Sequence, residues 1–243
     1  MSFAGALLLI ISAHAQVTRV SEADFTPDAG LITFSEFAVG SVNPTYTPAA
    51  YGGGIGSPSV SFDGYFTGQA LGGSACGGVP SGCVIGSPTT TLSLDSGSPN
   101  TFIADDGDNP TSPVLSGTPT FDGPISILFD VDVAGVGLEG GFFNSIGGTA
   151  IRAFGRDGTF LGQILNEGLG IEFLGLVTND GLSRIAGLQF SLVGAELSGF
   201  AIDNLRFGLA GQVTVPGVPE PETYALMLIG LVTLGAARRL RKS

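Results

Sequence analysis

The sequence predicts an all-β fold, a β-sandwich, on three observations. The chain of 243 residues holds 40 glycines and 14 prolines, which break helices and favour turns. Only 12% of its residues are charged, which leaves enough apolar sequence for a substantial core. Short runs rich in Val, Ile, Phe and Thr alternate with the turns, as strands do. We therefore expect one sandwich domain over residues 16–215.

Nine predicted strands would form the two sheets of this sandwich. One connection is predicted in detail: Asp157-Gly158 supplies residues that accept a positive φ, so the runs on either side should form a hairpin. The runs are Leu31 to Val39, Ser59 to Phe66, Pro124 to Val133, Gly137 to Phe143, Thr149 to Phe154, Phe160 to Leu165, Phe173 to Val177, Ile185 to Val193 and Phe200 to Phe207.

Residues 44–119 differ from the rest because Pro, Gly and Ser interrupt every long pattern there. Long loops are expected in this segment. Apolar residues such as Phe62 and Leu92 favour an ordered, loop-rich half of the same domain rather than a linker. A second domain that begins near residue 120 is the alternative, based on the change in composition.

Residues 1–15 predict a cleaved signal peptide. An apolar run from Phe3 to Ile11 precedes Ala13-His14-Ala15, the small-x-small pattern of a cleavage site. The run is too short to span a bilayer, and a buried N-terminal strand is the alternative. Cleavage would start the mature chain at Gln16 and place it outside the cytoplasm.

Residues 216–243 predict a single short transmembrane helix at the C-terminus. Prolines break regular structure around Glu220, and an uncharged apolar stretch follows at about residues 223–237. This stretch is shorter than the roughly 20 residues that span a bilayer, so it should anchor the chain only weakly. A basic stop-transfer cluster keeps the end cytoplasmic and the body outside; it comprises Arg238, Arg239, Arg241 and Lys242.

Charge is divided between the body and the tail. All 21 carboxylates lie between Glu22 and Glu222, and five of the nine basic residues lie between Arg19 and Arg206, which gives 5 − 21 = −16 for the chain up to Glu222. The tail holds the remaining four basic residues. Such an acidic body repels phosphate backbones, which excludes nucleic acid as a partner.

The tail resembles the PEP-CTERM sorting domain. Val218, Pro219, Glu220 and Pro221 come first, followed by a glycine-containing apolar helix and the basic cluster. The resemblance implies export from a Gram-negative cell, a transient inner-membrane anchor with the body in the periplasm, and processing near Pro-Glu-Pro by an exosortase. Cell surface or extracellular matrix would be the destination. Such domains occur in bacteria that make extracellular polysaccharide, which is therefore an expected partner.

The body is similar to the jelly-roll ectodomains common on these proteins, which resemble galactose-binding-like carbohydrate modules. By the same resemblance, Asp203 and Asn204 are candidate ligands of a structural calcium ion. The similarity rests on three segments, namely Ile32-Thr33-Phe34-Ser35-Glu36-Phe37, Phe154-Gly155-Arg156-Asp157-Gly158 and Phe200-Ala201-Ile202-Asp203-Asn204-Leu205-Arg206-Phe207.

Two further clusters of residues suggest bonds that stabilise an exported protein. Cys76 and Cys83 bracket a turn-forming sequence, and an oxidising compartment favours a disulfide between them. Free thiols and a zinc site are the alternatives, although zinc would need further ligands. Asp105, Asp106 and Asp108 with Asn109 offer hard oxygen ligands suited to calcium, and a solvated acidic turn is the alternative.

The residues that remain favour a protein without catalytic activity. The only histidine, His14, lies in the predicted signal peptide, so histidine-dependent nucleophilic catalysis is excluded from the mature chain. Asp130 and Asp132 alternate along a strand and could act as a glycosidase pair, or be solvated carboxylates. Tyr46, Tyr51 and Tyr65 could form a sugar platform in a chain without Trp, or pack in the sandwich.

We therefore expect a structural or adhesive surface protein, without a cofactor unless calcium binds. A carbohydrate-binding module is the first alternative, and a carboxylate-dependent enzyme that acts on glycans is the second.

Overall fold

Antiparallel strands make up nearly all of the regular structure in the computed structural model, which describes residues 17–73, 82–107, 113–196 and 200–217. This confirms the predicted all-β class. The described residues form one short α-helix, α1 Pro48–Tyr51, and one 3-10 turn, Glu22–Asp24. The strands are β1 Val17–Val20, β2 Gly30–Ile32, β3 Thr45–Tyr46, β4 Val60–Asp63, β5 Gln69–Leu71, β6 Val84–Gly86, β7 Phe102–Ala104, β8 Val114–Ser116, β9 Ile125–Val133, β10 Gly135–Phe143, β11 Thr149–Phe154, β12 Phe160–Leu165, β13 Gly170–Thr178, β14 Ile185–Leu192 and β15 Ala201–Gly208.

Two antiparallel sheets carry the fold. The first has the order β1-β13-β10-β15-β8-β7, with β2 also paired to β15. The second has the order β12-β11-β14-β9-β4-β3, and β5 pairs with β6 in a separate hairpin. Each sheet thus joins strands from the first and second halves of the chain.

The two sheets pack face to face around one apolar core, which confirms the predicted sandwich. The ring of Phe129 in β9 lies 5.4 Å from that of Phe207 in β15. The ring of Phe190 in β14 lies 6.2 Å from Phe143 and 5.4 Å from Phe200. All five rings are buried, because inward-facing residues alternate along the strands of both sheets.

A third layer covers part of the outer face of the second sheet. Phe66 and Leu92, from the segment between β4 and β7, pack against Phe154 of β11 and Ala186 of β14. A Cβ atom at Gly187 would lie 2.7 Å from Leu92 and 2.8 Å from Phe66, so glycine permits this close approach. The cover explains why all eight residues of β14 are buried, although a strand turns alternate side chains to opposite faces.

The strands predicted from residue 124 onward are confirmed as β9 to β15. The largest shift at an end is at β13, which begins at Gly170 instead of Phe173. The predicted strand Ser59 to Phe66 is confirmed only over β4. Sequence reasoning missed β1, β3 and β5 to β8, which are two to four residues long.

The predicted strand Leu31 to Val39 is wrong beyond Ile32. The chain turns there because the Glu36 carboxylate accepts hydrogen bonds from the Thr33 amide and hydroxyl, both at 3.0 Å. Phe34 adopts a φ of 57° and points into the core, where it is fully buried. The apolar residue Phe34 is therefore buried from a turn and not from a strand.

The predicted hairpin is confirmed between β11 and β12, where Arg152 pairs with Gln163. Its loop is longer than a two-residue turn and is closed by the hydrogen bond from the Gly155 amide to the Thr159 carbonyl, at 2.9 Å. Gly158 alone in this loop has a positive φ, of 77°.

Residues 44–119 contribute to the same core as the later strands. Tyr46, Phe62, Ile103 and Leu115 belong to the main cluster of buried apolar residues. This segment is thus loop-rich and also supplies core side chains on both sides of the sandwich. In the ranges given above, no helix has the length and apolarity needed to cross a membrane; residues 223–237 lie outside those ranges.

Candidate functional site

The end of the body is clamped to its beginning. Val213 forms an isolated antiparallel bridge with Phe25, and the Thr214 amide donates to the Asp24 carbonyl at 2.8 Å. The Val213 side chain is buried against valines of β1 and β13. The chain is therefore held in place up to the residues that precede the predicted tail.

The chain leaves the body two residues later. Val215 still contacts the loop after β13, since a Cβ atom at Gly181 would lie 3.1 Å from its Cγ2 atom. Pro216 and Gly217 are exposed, and Gly217 has a φ of 80°.

The tail is the part of the chain with a recognised relationship. Residues 217–242 match the PEP-CTERM protein-sorting motif. This chain carries an exosortase sorting signal. The match starts at the last described residue, so the sorting motif follows the folded body without an intervening domain. No curated protein matches the chain.

The sorting motif implies processing by an exosortase and association with a membrane. The motif residues themselves lie outside the described residues, namely Val218, Pro219, Glu220, Pro221, Arg238, Arg239, Arg241 and Lys242.

The structure places Asp203 and Asn204 beside a residue that sequence reasoning missed, Glu139. Asp203 on β15 is 1% exposed, and its carboxylate accepts the Asn204 amide at 2.7 Å. The Asn204 side chain donates to Glu139 on β10 at 2.8 Å. The pairing register of β10 with β15 brings Glu139 next to Asp203 and Asn204, and no local sequence pattern predicts this contact.

Asp106 and Glu139 line one small cavity of about 10 Å³, the size of a single water. The exposed Asp105 precedes Asp106, and Asp108 lies outside the described residues. Among described residues, no group of three or more acidic, Cys or His side chains has a metal-binding arrangement. Calcium at these two acidic segments therefore stays a prediction.

Cys83 is buried and lies in a parallel bridge with Leu192 at the end of β14. Cys76 lies outside the described residues. The proposed Cys76–Cys83 disulfide therefore stays a prediction.

The three tyrosines do not offer a common exposed face. Tyr46 is fully buried among Phe34, Phe37 and Phe62, so it cannot stack on a ligand. Tyr51 is half-buried, and its hydroxyl donates to the Pro58 carbonyl. Tyr65 is half-buried as well. The prediction of Tyr46 as a ligand-binding residue is therefore wrong, because its ring is packed inside the core.

Asp130 and Asp132 already have partners within the fold. The Ser59 amide donates to Asp130 at 2.7 Å, and the Arg156 guanidinium donates through Nε to Asp132 at 3.0 Å. These contacts tie β9 to the start of β4 and to the β11–β12 hairpin. Both carboxylates thus stabilise contacts between strands and loops of the fold.

Proposed function

We propose that this protein is an exported, non-enzymatic component of the bacterial cell surface or extracellular matrix, delivered there by exosortase processing of its tail. The observation that carries the proposal is the sorting motif at residues 217–242, which directly follows a folded body clamped at Val213. The body would fold in the periplasm of a Gram-negative cell while the tail holds it transiently at the inner membrane.

Several features support a structural or adhesive role linked to extracellular polysaccharide. A compact sandwich with a net charge of 5 − 21 = −16 up to Glu222 stays soluble outside the cell. With His14 removed in the signal peptide, the mature chain would lack a histidine base. Calcium bound at the acidic segments near Asp106 and Asp203 would be a structural addition to this role.

The test compares intact mass and cell fractions in an exosortase-bearing host with those in the same host lacking the enzyme. We expect loss of the mass C-terminal to the Pro219-Glu220-Pro221 region only where the enzyme is present. Replacing all three of these residues with Ala should abolish the loss, whereas Pro216→Ala, one proline outside the triplet, should not. An uncut tail in both hosts would contradict sorting and leave a membrane-anchored ectodomain.

The polysaccharide link has its own test. The processed protein should stay with the matrix fraction in a host that makes extracellular polysaccharide. It should move to the medium in the same host without polysaccharide synthesis. Equal retention in both strains would remove polysaccharide as the partner while leaving the sorting route intact.

A further inference from the structure

A cavity of about 240 Å³ opens on the outer face of the second sheet. Arg152 and Phe154 of β11 form one side, Phe160 of β12 another, and Gly86-Ser87 of the third layer closes the edge. Drug-sized ligands occupy pockets of about 300 to 1,000 Å³, so this cavity suits a group with a single ring. No segment of the sequence marked this site.

Arg152 lacks the kind of partner that the other arginines of the body have. Arg19, Arg156, Arg184 and Arg206 each form an ion pair with an Asp or Glu. Among the described residues, Arg152 makes no ion pair, and its hydrogen bond runs from Nε to Gln163 at 3.2 Å. Most of its five N–H donors are therefore available to a ligand.

The position of Arg152 is also unfavourable for an unpaired charge. The side chain is half-buried, and burial lowers the pKa of its guanidinium. A desolvated charge without a counter-ion destabilises a fold, and perturbed groups in a cavity are typical of binding sites. The body has sixteen more acidic than basic groups, so most of its arginines are expected to have a carboxylate nearby. Among the described residues, Arg152 has no such ion pair.

Aromatic rings complete the cavity beside the charge. Phe160 is 52% exposed and lies opposite Phe154 across the two strands, with ring centroids 5.9 Å apart. A flat, exposed ring gives the apolar C–H face of a sugar a surface to pack on. The hairpin that carries these residues is held to the third layer by the hydrogen bond from the Leu92 amide to the Arg156 carbonyl, at 3.0 Å.

We infer that this cavity binds a sugar unit that bears a carboxylate, with the Arg152 guanidinium on the carboxylate and Phe160 against the sugar ring. Arg pairs with a carboxylate through two parallel hydrogen bonds, which gives both affinity and orientation. The acidic body repels an acidic glycan over most of its surface, so binding depends on these local contacts at the cavity. The inference rests on the proposed polysaccharide association for the source of the ligand and specifies its chemistry as an acidic glycan.

The experiment uses the full chain in mild detergent and isothermal titration with oligogalacturonate, a neutral galactan oligomer of equal length, and acetate. We expect saturable binding of oligogalacturonate and none of the neutral oligomer. Arg152→Met should weaken binding by about tenfold to a hundredfold, the effect of losing hydrogen bonds to a charged group. Arg184→Met, which removes one exposed arginine from the Asp180 pair, is the matched control and should bind as the wild type does.

Two further variants separate the sources of the signal. Phe160→Ala should weaken oligogalacturonate binding without changing any weak response to acetate, because only the sugar contacts the ring. Arg152→Lys keeps the charge but not the paired donors, so it should bind less tightly than the wild type even if Arg152→Met does not fold. Wild-type binding that is absent, equal for the neutral oligomer, or unchanged in both Arg152 variants would overturn the inference.

These outcomes are distinct from those of the proposed function. A protein that is processed and retained by matrix polysaccharide but does not bind oligogalacturonate would contradict the acidic-glycan site alone. A protein that binds oligogalacturonate but keeps its tail in both hosts would contradict the sorting proposal alone.

Discussion

Val213 pairs with Phe25 in an isolated antiparallel bridge, so the segment that ends the body is held against the segment that begins it. The sorting motif starts at residue 217, four positions after this bridge. The packing of Val213 against Phe25 therefore stabilises the end of the body that directly precedes the sorting motif.

Loosening the clamp should destabilise the body. Val213→Ala removes apolar atoms from a position that is 6% exposed, beside Val20 and Val177. We expect a loss of about 1 to 3 kcal/mol in the free energy of unfolding, measured by urea denaturation. Thr214→Ala alters an exposed side chain and keeps the main-chain bond to Asp24, so it should stay close to wild type. Equal effects of the two variants would contradict a packed clamp.

The predicted disulfide should contribute measurable stability. Closing a loop of about eight residues between Cys76 and Cys83 is worth roughly 2 to 3 kcal/mol by chain entropy. The double variant Cys76→Ser/Cys83→Ser should unfold at correspondingly lower urea. Reduction should lower the stability of the wild type by the same amount and leave the double variant unchanged. Thiols of the unfolded, unreduced wild type that react with an alkylating agent would rule the disulfide out.

Tyr46→Phe should leave stability unchanged or raise it at neutral pH. The Tyr46 hydroxyl is buried and makes no hydrogen bond with any described residue. An unsatisfied buried polar group costs about 1 to 3 kcal/mol, while the ring contacts with Phe34 and Phe62 survive in Phe. Tyr65→Phe, at a half-buried ring, is the matched control. A loss of more than about 1 kcal/mol in Tyr46→Phe alone would reveal a partner for the hydroxyl.

Stability should also fall in strong alkali, and Tyr46→Phe should reduce this fall. Burial, followed by the Glu36 charge, raises the pKa of Tyr46, and burial raises the pKa of Tyr51 to about 12. Unfolded tyrosines titrate near pH 10, so the unfolded chain loses protons first. The stability present below pH 10 is therefore lost as pH rises from about 10 towards 12. Urea titrations at pH 8, 10 and 11 would measure the slope, and equal slopes for both proteins would contradict this origin.

Gly123→Ala should destabilise the turn between β8 and β9. A Cβ atom there would lie 2.2 Å from the Thr118 amide nitrogen and 2.3 Å from its carbonyl oxygen, and backbone atoms cannot rotate away. We expect a loss of about 1 to 3 kcal/mol. Gly54→Ala, where a Cβ atom meets nothing within 4 Å, should be neutral or slightly stabilising. Thermal melts of the two variants side by side would show whether the close approach matters.

The longer strands could be predicted because their side chains follow the period of a sheet buried on one face. In β9, Ile125, Ile127 and Phe129 alternate as the pleat requires. The short strands gave no such signal: β7 and β8 are three residues each and exist because the sheet supplies partners for them. Phe34 illustrates the opposite failure, since an apolar residue can be buried from a turn as well as from a strand.

For the candidate sites, too, the sequence shows the residue types but not their packing or their partners across strands. Tyr46 was a reasonable platform residue by type, but packing against three phenylalanines removed it from the surface. Glu139 could not be connected with Asn204 without the register of β10 against β15, since the two are 65 positions apart in sequence.

The sequence by itself determined the sorting motif, because the motif is one continuous stretch of chain whose order of residues is what an exosortase and a membrane recognise. It also determined the all-β class through composition and period. Only the tertiary structure decided which arginine has no ion pair among the described residues. Ion pairs such as that of Arg206 with Glu22 join residues 184 positions apart, so the chain must fold before Arg152 is left with an open cavity instead of a partner.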